Sequence, residues 1–84
     1  MTYTDSEKVL INQGLDDAIN QITTPARKRR ARLAQEEWQA GTVDPKFLAL
    51  ALAPVPASRE GYDKYSRPEN YHDHLRALVK RLSA

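Results

Sequence analysis

The sequence predicts an all-α fold: a small single-domain bundle of about four helices spanning residues 1–84. Three observations predict it. Apolar residues recur at helical spacing near both ends of the chain, each of four segments opens on a capping or N1-proline signal, and glycine or proline punctuates the stretches between. Eighty-four residues leave room for one core. A hydrophobic content of 40% against a net charge of +2 gives the chain enough to bury and little self-repulsion to resist it.

The first helix is expected over residues 5–22. Thr4 and Glu7 form a capping-box pattern, in which the threonine oxygen takes a free backbone N–H and the glutamate reaches back. Ile11, Leu15, Ala18, Ile19 and Ile22 then fall on one stripe, with Val9 and Leu10 lying off it. Gly14 interrupts this helix at a cost of about 1 kcal/mol relative to alanine, which a close approach by a neighbour would explain.

The second helix, 25–40, has Thr24 as its cap and Pro25 at N1, where a missing N–H costs nothing, and it stops at Gly41. The third, 45–53, begins at Asp44-Pro45 and ends before Pro54. Its body, FLALALA, alternates and so also fits a strand. Alanine, a good helix former depleted in strands, favours the helix, and its apolar character all round marks it as the buried centre of the fold. Residues 54–65 carry breakers and no period, and read as a long loop. Ser66 to Glu69 forms a second capping box, opening a last helix over 67–83 with Tyr71, Leu75, Leu78, Val79 and Leu82 as its stripe. Lys80 and Arg81 sit in its final turn, at the negative end of the helix dipole.

Composition narrows the functional classes. The chain has no cysteine, which excludes disulfides and thiolate metal sites and suits the cytoplasm. Its start, MTYTDSEKVL, lacks the basic-then-apolar pattern of a secretory leader. The longest apolar run, 47–53, falls far short of the ~20 residues that cross a bilayer, so no membrane partner is expected.

The second helix carries the most unusual chemistry. Arg27, Lys28, Arg29, Arg30 and Arg32 crowd its positive end, where a cation is disfavoured, and they encircle the helix at about 100° per residue. They are candidates for phosphate contacts with a nucleic acid. The competing reading is a solvated basic turn balanced by Glu7, Asp16 and Asp17. Further along, Lys28, Arg29, Arg32, Gln35, Glu36 and Gln39 share a solvent sector. Ala26, Leu33 and Ala40 bound one side of the opposite, apolar sector, and Ala31, Ala34 and Trp38 bound the other. Arg30 and Glu37 fall inside it. Either they pair, because an unpaired buried charge is expensive, or the sector is partly exposed and binds a partner.

The segment before the last helix mixes Arg59, Lys64 and Arg67 with Tyr62, Tyr65 and Tyr71. Tyrosine and arginine couple large contact area to a polar tip, so Arg59, Tyr62, Lys64, Tyr65 and Arg67 are candidate protein-binding residues, with Trp38 added from the second helix. Tyr71, on the apolar stripe, packs inward.

Catalytic signals are sparse. His72 and His74 diverge by about 200° on a helix and cannot clamp one ion, so no metal site is expected. Gly14, Gly41 and Gly61 are isolated, which leaves no phosphate-cradling loop and no cofactor. Asp16-Asp17 and Glu36-Glu37 read as surface charge. The expected function is therefore non-enzymatic: docking on a protein partner as an adaptor, accessory subunit or inhibitor, of the kind phages and plasmids use to modulate host machinery. A nucleic-acid-binding regulator using the basic turn is the alternative, and a structural subunit of a larger assembly the third reading. A homodimer through the first or last helix would leave the same stripes.

Overall fold

The structure, a computed structural model, describes residues 2–57, 67 and 70–84, and these form the small all-α bundle that the periodicity predicts. Its helices are α1 (Asp5–Asn20), α2 (Pro25–Ala40), α3 (Pro45–Leu52), a single turn α4 (Pro54–Ala57) and α5 (Tyr71–Ser83). None is long and apolar enough to cross a membrane.

Local signals set most of the boundaries. Thr4 Oγ1 accepts from the Glu7 N–H at 3.1 Å while the Thr4 N–H donates to Glu7 Oε1 at 2.8 Å, completing the capping box of α1. Asp44 Oδ1 accepts the Lys46 N–H ahead of α3. Gly41, at φ 76°, closes α2 in the left-handed conformation. The Gly41 N–H reaches the Trp38 carbonyl and the Thr42 N–H reaches that of Glu37, so two otherwise orphaned acceptors are satisfied.

Three boundaries differ from the sequence-based expectation. Helix α1 ends at Asn20, short of Ile22, although Ile22 still buries its side chain beyond the helix end. Residues 54–57, read as loop, form one helical turn. Pro54 lacks only an N–H that a first turn leaves unused, and Val55 and Pro56 are buried. Helix α5 starts at Tyr71 and not at 67, because Asn70 adopts φ 65° and a helix cannot run through that conformation. Three members of the expected second capping box, Ser66, Pro68 and Glu69, lie outside the described residues.

The core gathers Ile11 and Leu15 from α1, Leu48 and Leu52 from α3, and Leu75 and Leu82 from α5, all essentially inaccessible to solvent. Helices α1 and α3 are central, each packing on both α2 and α5. The α3 helix is not buried all round, however. Leu50 is 56% exposed, since eight residues wind through more than two turns and the described neighbours do not cover every flank.

Helix α2 also departs from expectation. Its buried stripe is narrow, Ala31 and Ala34 with half-buried Trp38, while Ala26, Leu33 and Ala40 are exposed. Small side chains bring α2 close to its neighbours, so little of its circumference is covered. Gln35, assigned to the solvent sector, instead borders α1 and donates its amide to Asp16 Oδ1 at 3.1 Å.

Helices α1 and α5 run antiparallel, tied at both ends. At one end Arg81 of α5 donates to Glu7 of α1. At the other, Tyr71 Oη donates to Asp17 Oδ2 at 2.7 Å. Midway, Gly14 faces Leu52 and Leu75: a Cβ at that position would stand 2.7 Å from Leu52 Cδ2 and 3.2 Å from Leu75 Cδ1. The glycine lets α1 settle onto both leucines.

Candidate functional site

The antiparallel pairing of α1 and α5 leaves a shallow groove of about 490 Å³ between them. Val9 and Leu10 line it with Ser6, Glu7, Gln13 and His74. Because the main stripe of α1 packs on the core, off-stripe Val9 is left to face outward. Val9 is 55% exposed, and Leu10 rests half-buried against the core edge. The Glu7–Arg81 pair fixes one end of the two helices and the Asp17–Tyr71 bond the other, so the groove is preformed.

Two interactions tune the charges around it. The Thr4 backbone N–H holds the Glu7 carboxyl below its ordinary value, and Arg81 adds to that effect. Burial pushes the Tyr71 phenol well up, reinforced by its bond to Asp17.

Asp17 was expected on the surface and is buried, 4% exposed. Its Oδ1 accepts from Arg67 Nη2 at 2.7 Å, and its Oδ2 accepts from Arg67 Nε at 3.0 Å and from Tyr71 Oη. The Arg67 guanidinium also lies 5.7 Å from the centre of the Tyr71 ring. With both carboxylate oxygens engaged, the cluster acts as a staple that binds the approach to α5 onto the end of α1. A signal for Asp17 was present: it follows Leu10 and Gly14 at i+7 and i+3, on a secondary row beside the main stripe.

Of the candidate protein-binding residues, Arg67 is this staple's cation and Trp38 lines a second groove of about 600 Å³ beside Tyr3, Asn12 and Lys8. There the Trp38 Nε1–H donates to Asn12 Oδ1 at 2.8 Å, and the Tyr3 ring meets the indole edge-on with centroids 5.2 Å apart. Arg59, Tyr62, Lys64 and Tyr65 lie outside the described residues. His72 and His74 take different environments: His74 is exposed on the α1–α5 groove, whereas His72 is half-buried with its ring 5.5 Å from that of Tyr71.

In the basic turn, Arg27, Arg29 and Arg32 are exposed, with Lys28 and Arg30 half-buried. Among the described residues none of the five is in an ion pair, and no acidic residue occupies the first turn of α2. Among the described residues Arg30 and Glu37 pair neither with each other nor across the bundle, and both are partly exposed.

No protein-family model matches this chain, and no curated protein or solved structure matches it.

Proposed function

We propose that this protein is a non-enzymatic docking module that binds an apolar segment of a partner protein in the groove between α1 and α5. The carrying observation is exposed Val9 beside half-buried Leu10 in a groove between two helices tied by the Glu7–Arg81 ion pair at one end and the Tyr71–Asp17 hydrogen bond at the other. A preformed site loses little entropy on binding, so even a small groove contributes usefully to affinity. An adaptor, accessory subunit or inhibitor needs one such surface on a stable scaffold and no chemistry of its own. Its lack of cysteine suits work in the cytoplasm.

The test is a pull-down of the tagged protein from its host's lysate, with and without nuclease, run alongside Val9→Glu. A defined protein that survives nuclease and is lost with the Val9→Glu variant supports the reading. Capture that persists with Val9→Glu overturns the groove as the docking surface. A parallel Tyr62→Ala, Tyr65→Ala variant separates docking by the tyrosine segment from docking by the groove.

A second reading rests on the five cations of α2 that lack acidic partners among the described residues. Binding of nucleic acid there would weaken steeply with salt, because each phosphate contact releases counterions. Changing Arg29 and Arg32 to Glu would abolish it.

A further inference from the structure

The outward face of α2 is organised in a way that neither reading uses. It centres on Leu33, 49% exposed, with exposed Ala26 and Ala40 seven residues to either side. Cations occupy one half of this face and anions the other. Arg29 and Glu36 lie seven residues apart on one flank of Leu33, and Arg30 and Glu37 lie seven apart on the other. At 100° per residue, each pair shares a flank of the helix two turns apart. Among the described residues none of these four side chains is in an ion pair.

We propose that this face binds a second copy of the chain, forming a two-fold symmetric dimer with the two α2 helices antiparallel. A two-fold axis beside Leu33 brings Leu33 against Leu33 of the second copy. It keeps each flank on its own side while reversing the helix direction, so Arg29 meets Glu36 and Arg30 meets Glu37 of the other copy. Operated by the same symmetry, these contacts become four ion pairs flanking one leucine pair. Ala26 and Ala40 fall opposite each other at the two ends, where small side chains let the helices approach. Antiparallel packing also sets the positive end of each α2 dipole beside the negative end of the other. Such a contact is isologous: one patch, complementary to itself. A parallel pairing has no such match, since it would set arginines against arginines.

Sedimentation equilibrium on the nuclease-treated full chain, up to about 1 mM to capture even weak association, tests this. Wild type is expected to dimerise. Arg29→Glu with Arg30→Glu leaves four glutamates on the face, and Glu36→Arg with Glu37→Arg leaves four arginines. Each double variant alone should associate at least tenfold more weakly. An equimolar mixture of the two should recover a heterodimer, and the chain carrying all four reversals should recover a homodimer. Leu33→Glu should be monomeric. None of these side chains belongs to the buried core, Arg29, Leu33 and Glu36 being exposed and Arg30 and Glu37 half-exposed, so circular dichroism should show unchanged helix content. A wild-type chain that stays monomeric throughout the range overturns the proposal, as does a dimer that survives both double variants. Mixed double variants that fail to associate overturn it equally. Association that disappears on nuclease treatment assigns the arginines to nucleic acid and removes them from the seam.

Discussion

Asp17 and Arg67 meet as a bidentate pair across fifty residues of sequence, with Asp17 almost fully enclosed and Arg67 at 16% exposure. A buried ion pair adds little over an apolar pair of similar shape, but removing one partner strands the other charge away from water. Arg67→Ala or Asp17→Ala is therefore expected to cost about 3 kcal/mol each, a large share of the ~5 kcal/mol available to a small domain. The double variant should be less destabilised than the sum of the singles. Urea unfolding with an unchanged m-value measures it, and additive losses would show that the two side chains act independently.

Tyr71 completes that cluster and gives it an alkaline signature. Its phenol is raised above the ordinary value, so the folded state keeps the proton that the unfolded chain loses near pH 10. Its contribution is present in full below that pH and is lost as the pH rises toward the folded value. Wild type should lose stability above about pH 10 more steeply than Tyr71→Phe. Parallel alkaline limbs would mean that the phenol's burial does not govern this range.

At the opposite end of the α1–α5 pair the sign reverses. Glu7 is held below its ordinary value by the Thr4 N–H and by Arg81, so its contribution is present above the unfolded value of about 4.3. It is lost as the pH falls through the lower folded value. Glu7→Gln can keep the capping geometry but not the ion pair. The gap in melting temperature between wild type and Glu7→Gln should close as the pH falls below about 4.3. A gap that stays constant over this range would assign Glu7's effect to packing.

Gly14 sets two effects against each other. Alanine would gain about 1 kcal/mol in helix propensity, yet its Cβ would press on the side-chain ends of Leu52 and Leu75, both fully buried. Overpacking costs about 1–3 kcal/mol, so Gly14→Ala should be net destabilising by about 1 kcal/mol. Leu52→Val, which removes part of the obstructing side chain, should cost less in the alanine background than in wild type. An additive result would place the strain elsewhere.

What the sequence made legible, and what it did not, follows from the range of the interactions. Helices α1, α2 and α3 begin where Thr4, Pro25 and Pro45 say they should, because caps act over three or four residues. The exposure of Leu33 and Leu50 was not legible. It depends on which neighbours cover a helix, and an apolar residue reads alike whether it is covered or left open. Asp17 was misplaced for a related reason: its cation and its phenol come from residues 67 and 71, beyond any local pattern. The Val9–Leu10 pair was visible as an irregularity in α1, with Gln13 one turn on, but His74 joined it only once α5 lay antiparallel alongside.

Trp38 reports which groove a partner uses. It is the chain's single tryptophan, bonded to Asn12 and capped by Tyr3 on the α1–α2 side, whereas Val9 and Gln13 face α5. Asn12→Ala should red-shift its emission as the indole N–H turns to water, with a stability loss of about 1 kcal/mol for the hydrogen bond. That shift calibrates the probe. A tryptophan-free partner peptide that docks in the α1–α5 groove should then leave wild-type emission unchanged while losing affinity for Val9→Glu. A peptide that shifts the emission and ignores Val9→Glu would move the docking surface to the Tyr3–Trp38 groove. The two grooves lie on opposite flanks of α1, so one titration with two readouts decides between them.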